Sequence, residues 1–144
     1  VLRKKTAGFS LIEIMVVLVI IGLLAGIVGP RVIGTAGEAR KKKVIADFSN
    51  FETALKLYKL DNYVYPSTSQ GLQALVTKTD VDPIPKNFKK GGYMEKLPKD
   101  PWGENYIYIS PGDHGEFDIY TLGADNAQGG EDEAEDIGNW DADE

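Results

Sequence analysis

The chain has 144 residues, no cysteine and a formal net charge of −6, so it has neither a disulfide framework nor a thiolate metal site. With an apolar segment of membrane length set aside at the front, about a hundred residues remain, enough for one modest core but not for a two-domain enzyme with a cleft. Every Lys and Arg lies at or before Lys99, while from Asp113 onward twelve carboxylates stand with one His; this speaks against nucleic-acid binding and points to a bound cation or a solvated acidic end.

Arg3, Lys4 and Lys5 precede an apolar run, Leu11–Val28, whose only charged residue is Glu13. The basic flank places the N-terminus on the cytoplasmic side, and a run of about 20 residues is long enough to span a membrane. A secretory signal peptide would have a shorter apolar core with a small-residue cleavage site after it; here the small residue, Gly8, comes before the run. Cleavage between Gly8 and Phe9 would remove the basic leader, keep the helix and create an amino group at Phe9, four residues from Glu13. A carboxylate at membrane depth costs roughly 2–3 kcal/mol. Either that amine neutralises it, within one chain or between neighbours, or Glu13 is a tolerated acid near the interface of a plain anchor.

Beyond Pro30, apolar residues fall at Val44, Phe48, Phe51, Leu55 and Tyr58, at spacings of 4, 3, 4 and 3, with Lys42, Asp47, Glu52, Lys56 and Lys59 opposite. This is the pattern of an amphipathic helix, ended by Asp61-Asn62 and then Pro66. Membrane helix and amphipathic helix together predict one rod of about 50 residues, the second half lying against a head. The basic run Arg40-Lys41-Lys42-Lys43 faces lipid head groups, an acidic neighbour or plain solvent.

In the head, Ser67-Thr68-Ser69-Gln70 offers an N-cap to a short helix through Leu72, Leu75 and Val76. Residues 77–90 read as a loop, and Asp100-Pro101-Trp102-Gly103 as a turn that buries an indole. Tyr106–Ile109 and Phe117–Leu122 are strand-like, joined by the hairpin loop Pro111–Gly115. The expected fold is α+β, a small antiparallel sheet on the apolar face of the long helix.

The segment Leu122–Asp136 is a glycine-containing loop dense in carboxylates, and nothing cationic is expected nearby to neutralise them. Oxygen ligands in a flexible loop suit Ca²⁺, although the spacing is not that of an EF-hand; a solvated acidic tail explains the composition equally well. Asp141, Asp143 and Glu144 read as solvated. The single histidine, His114, has no orienting partner in sequence, and no nucleophile motif or phosphate loop is present, so the chain does not read as an enzyme.

Gly8-Phe9-Ser10-Leu11-Ile12-Glu13, after a basic leader and before a long apolar helix, resembles the class III signal of type IV pilins and pseudopilins. The resemblance implies a prepilin peptidase that cuts after Gly8 and methylates Phe9, and a Glu13 that pairs with the N-terminus of an adjacent subunit. Pro30, with Gly22, Gly26 and Gly29 before it, weakens the helix and predicts local stretching or melting between Gly22 and Pro30 in a filament. Tyr58–Asn62, Tyr65–Thr68, Gln70–Leu75, Leu97–Gly103 and Asp136–Trp140 are together similar to the major pseudopilins of the type II secretion system. Type IV pilus pilins usually close their C-terminal region with a disulfide, which this chain lacks.

That resemblance implies a leader (1–8), a transmembrane and fibre-core helix (9–30) and a periplasmic head (31–144). It implies Ca²⁺ held by the side chains of Asp125 and Asp136 and the carbonyls of Leu122 and Gln128. Asp132, Glu133 or Glu135 would complete the shell, with Asp100 a further candidate. The implied partners are further copies in a homopolymer, minor pseudopilins, an inner-membrane assembly platform, a cytoplasmic ATPase and the prepilin peptidase. The chain would sit in the inner membrane before assembly and in a periplasmic pseudopilus after it. Two rivals remain: a pilus pilin for adhesion or motility, and an uncut, membrane-anchored calcium-binding module.

Overall fold

A computed structural model of the protein describes residues 8–142, without the side chains of 28–33. Residues 1–7 of the expected leader, and the side chains around the expected domain boundary after residue 30, therefore fall outside the described part. The chain forms two compact units, one up to Glu38 and one from Ala39 onward. One helix, α1 (Leu11–Asn62), contributes to both.

In the first unit α1 opens on Ser10 and Glu13, and the helical backbone continues through position 30. Its large apolar side chains are exposed, from Ile14 and Val17 at 47% to Leu11 at 83%. Among the described residues no helix is long and apolar enough to cross a membrane; the expected span, 9–30, runs past Ile27 into the undescribed side chains.

In the second unit the predicted apolar stripe is the core. Val44, Phe48, Phe51, Leu55 and Tyr58 are each 0–1% exposed. They pack with Leu72, Leu75, Tyr106, Tyr108, Ile119 and Ile137. At about 1.5–3 kcal/mol for each large apolar side chain withdrawn from water, this stripe holds the head on α1. The helix ends where Tyr63 turns left-handed (φ 69°) and its N–H reaches the Lys59 carbonyl at 2.7 Å, an αL stop.

The sheet has three antiparallel strands in the order β1 (Ile107–Ile109), β2 (Asp118–Thr121), β3 (Ile137–Gly138). Tyr108 pairs with Ile119, and Thr121 with Ile137. The first two strands are the predicted hairpin. The two-residue β3 is an addition, too short to show a period of two in sequence.

Candidate functional site

Most of the expected site residues fall in two regions, the start of α1 and the acidic loop. At the first, Ser10 N–H donates to Glu13 Oε2 and Glu13 N–H to Ser10 Oγ, both at 3.3 Å. This reciprocal arrangement is a capping box, and it gives Glu13 a local task that the sequence reading missed. The signal was there, in Ser10-Leu11-Ile12-Glu13. Phe9 is 81% exposed.

The acidic loop leaves β2 through a 3-10 turn, Gly123–Asp125, passes a second, Asp132–Ala134, and enters β3. Two glycines shape it. A Cβ on Gly130 (φ 101°) would stand 2.3 Å from the Ala134 carbonyl oxygen, and one on Gly123 (φ 68°) 2.8 Å from that of Glu133. Only bare backbone approaches this closely.

The expected ligands are placed as follows. Leu122, Gln128 and Asp136 line one cavity of about 360 Å³, together with Asp113, His114, Asp118 and Trp140. Asp136 Oδ2 accepts from Gly129 N–H at 2.9 Å, while its Oδ1 is buried and has no hydrogen-bond partner among the described residues. A carboxylate oxygen in that state is costly and is what a cation would relieve. Asp125 Oδ1 accepts from Ala127 N–H at 3.0 Å, and Asp132 is exposed in a left-handed conformation (φ 54°). Among the described residues no three acidic or imidazole side chains gather as metal ligands. Asp125 is not among the residues that line the cavity, and the fit to Ca²⁺ rests on the unsatisfied Asp136 oxygen.

Asp100 and Glu135 are engaged elsewhere. Asp100 Oδ1 accepts from the N–H groups of Trp102 and Glu104 at 3.0 and 2.8 Å, and its Oδ2 from the Thr121 hydroxyl at 2.5 Å. It shapes the turn after Lys99. Glu135 pairs with Lys41 at 3.2 Å and Glu133 with Arg40. The expectation that no cation lies near the loop is thus corrected, because the cations arrive from α1, more than ninety positions earlier in the chain. Arg40 and Lys41 find their acidic neighbours within the same chain. Lys43 does too, reaching Asp47 Oδ2 at 2.5 Å and the Lys99 carbonyl at 2.6 Å.

Asp47 is 8% exposed and also accepts from the Tyr106 hydroxyl at 2.6 Å. Burial first, and then this bond, hold the Tyr106 phenol well above its ordinary range. Burial likewise pushes Tyr108 up to about 12.

His114 also differs from its reading. Its Nδ1 lies 2.9 Å from Asp118 Oδ2, and its ring stacks on Trp140 with centroids 3.9 Å apart. Asp118 orients it, a partner four residues on that only the hairpin's closure reveals. Asp141, read as solvated, accepts from Gly138 N–H at 2.9 Å. Asp143 and Glu144 lie outside the described residues.

An exposed apolar helix in the first unit and, in the second, a small sheet packed on a helix are the parts of a pilin-like assembly subunit. The comparisons narrow this further. The family model for Type II secretion system (T2SS), protein G matches residues 31–140, and the prokaryotic N-terminal methylation motif matches residues 3–29. The chain is 54% identical over 139 residues to the Type II secretion system core protein G of Vibrio cholerae, covering 96% of this chain and 94% of that one. The corresponding protein of Pseudomonas aeruginosa is 52% identical over 139 residues, 96% and 98% of the two chains. The crystal structure of the major pseudopilin from the type 2 secretion system of enterohaemorrhagic Escherichia coli superposes with a TM-score of 0.69. It has 43% identity and covers 76% of this chain and 93% of that one. The chain belongs to the type II secretion system protein G family, the major pseudopilins.

Proposed function

We propose that the chain is trimmed between Gly8 and Phe9, methylated at Phe9, and polymerised from the inner membrane into a periplasmic pseudopilus that drives folded proteins across the outer membrane. The methylation motif over residues 3–29, directly ahead of the protein G match, carries this reading. The exposed apolar front of α1 supports it, since so continuous a surface calls for lipid or other subunits to cover it.

In this mechanism the apolar helix lies in the membrane before assembly and in the fibre core after it. Glu13 leaves its capping box to meet the Phe9 amine of a neighbouring subunit, which removes two charges from an apolar setting at once. The weak stretch Gly22–Pro30 lets the helix adjust as subunits pack. Minor pseudopilins, an assembly platform in the inner membrane and a cytoplasmic ATPase complete the machine; the chain itself does no chemistry. In the head, Asp125, Asp136 and the carbonyls of Leu122 and Gln128 hold Ca²⁺. The ion supplies the cross-link that a disulfide-free head otherwise lacks.

Replacing Glu13 by Ala in the native host tests the reading, with secreted enzymes assayed in the medium and surface motility scored in parallel. Loss of secretion with motility intact is expected. Loss of motility with secretion intact would make this a pilus subunit, and no change in either would reduce Glu13 to a tolerated acid in an anchor.

A further inference from the structure

Six carboxylates lie between Leu122 and Asp136: Asp125, Glu131, Asp132, Glu133, Glu135 and Asp136. The structure does not treat them alike. Glu133 and Glu135, which fall at and just after the turn Asp132–Ala134, reach Arg40 and Lys41 on α1. Asp125 and Asp136 instead make hydrogen bonds within the loop, to Ala127 and Gly129, and Asp136 keeps one buried oxygen unused. The segment between them is the one that Gly123 and Gly130 approach with bare backbone.

We infer that Arg40 and Lys41 are positioning residues for the acidic loop. By engaging Glu133 and Glu135 they dock it on α1 and divide its acids into two sets, one serving the helix and the other, Asp125 and Asp136, serving the cation. The second half of this division rests on the calcium reading above; the docking half does not. Docking also lowers the negative charge that a cation-free loop must tolerate, because two of its carboxylates already face cations. The pairs are 38–56% exposed, so each is weak and screened by salt.

The test uses the full chain in detergent micelles. Arg40→Gln, Glu133→Gln and their double variant form one cycle; Lys41→Gln, Glu135→Gln and their double form the other. Urea midpoints are taken in chelator at low and high salt, and calcium isotherms are recorded alongside. In chelator at low salt, each single variant should lower the midpoint, the double should lower it no further than the worse single, and high salt should erase the differences. Each double variant, unchanged in net charge, should bind one Ca²⁺ within about threefold of the parent, whereas Asp136→Asn should lose about tenfold or more.

Additive singles, or singles without effect, would overturn the docking. A double variant that loses calcium as severely as Asp136→Asn would make Glu133 or Glu135 a ligand and overturn the division. A parent chain that binds no calcium would remove the cation half of the inference, and the cycles in chelator would still decide the docking half.

Discussion

Replacing Tyr106 by Phe isolates one hydrogen bond at the centre of the clamp between helix and sheet. The Tyr106 ring meets Phe48 and Phe51 edge-on, with centroids 5.6 and 5.4 Å away. A Phe in its place keeps those contacts and loses only the hydroxyl, which lies 2.6 Å from Asp47 Oδ2. Hydrogen bonds to charged partners are worth about 1.5–3 kcal/mol. Asp47 keeps Lys43 at 2.5 Å, so the loss falls at the low end, about 1.5 kcal/mol. For a domain of this size that is a fall in Tm of roughly 6–12 °C, read by thermal unfolding of the chain in detergent. Tyr106→Ala, which also empties the ring's place, should cost about 3–5 kcal/mol. If Tyr106→Phe melts with the parent, the Asp47 carboxylate is satisfied by Lys43 alone and the clamp is purely hydrophobic.

Three further outcomes follow from the same geometry. Lys59 at 2.5 Å holds Glu116 below the ordinary carboxylate range. A lowered folded-state pKa stabilises above the unfolded value and is lost as pH falls through it, so Glu116→Gln should flatten the acid limb of a Tm–pH profile below about pH 4.5. Gly130→Ala would drive a Cβ to 2.3 Å from the Ala134 carbonyl oxygen at a φ of 101°; a loss of about 2 kcal/mol or more in urea unfolding is expected. Chelator should lower the Tm of the calcium-loaded chain, by about 2.7 kcal/mol of stability when the ion had stood at a hundred times its Kd, and Asp136→Asn should remove that difference.

Much of the head was legible because its signals are local. The spacing from Val44 to Tyr58 announced the buried stripe, and the strand-like runs around Pro111–Gly115 announced the hairpin. What sequence could not supply was partnership across long separations. The Arg40–Glu133 and Lys41–Glu135 pairs close loops of more than ninety residues, and no pattern in either segment names the other. His114 found Asp118 only because the hairpin folds back on itself. Gln70 was read as part of a helix cap, but the short helix Leu72–Leu75 starts from Gly71 with no side-chain cap. Gln70 Oε1 instead accepts from Ser67 N–H at 2.8 Å within the preceding turn, and its Nε2 ties the long loop through the carbonyls of Val81 and Pro83, at 2.7 and 2.8 Å. The Ser10–Glu13 capping box, by contrast, was local and legible. It went unseen because Glu13 was weighed only as a charge in an apolar run.

The central claim is that this chain is a processed assembly subunit, and the mass of the protein recovered from its host tests it most directly. The account predicts a chain that begins at Phe9, carries one added methyl group and sediments with fibres when overproduced together with the rest of its secretion machinery. A chain recovered with residues 1–8 still attached, monomeric in the membrane, would contradict it and leave an anchored calcium-binding module in its place.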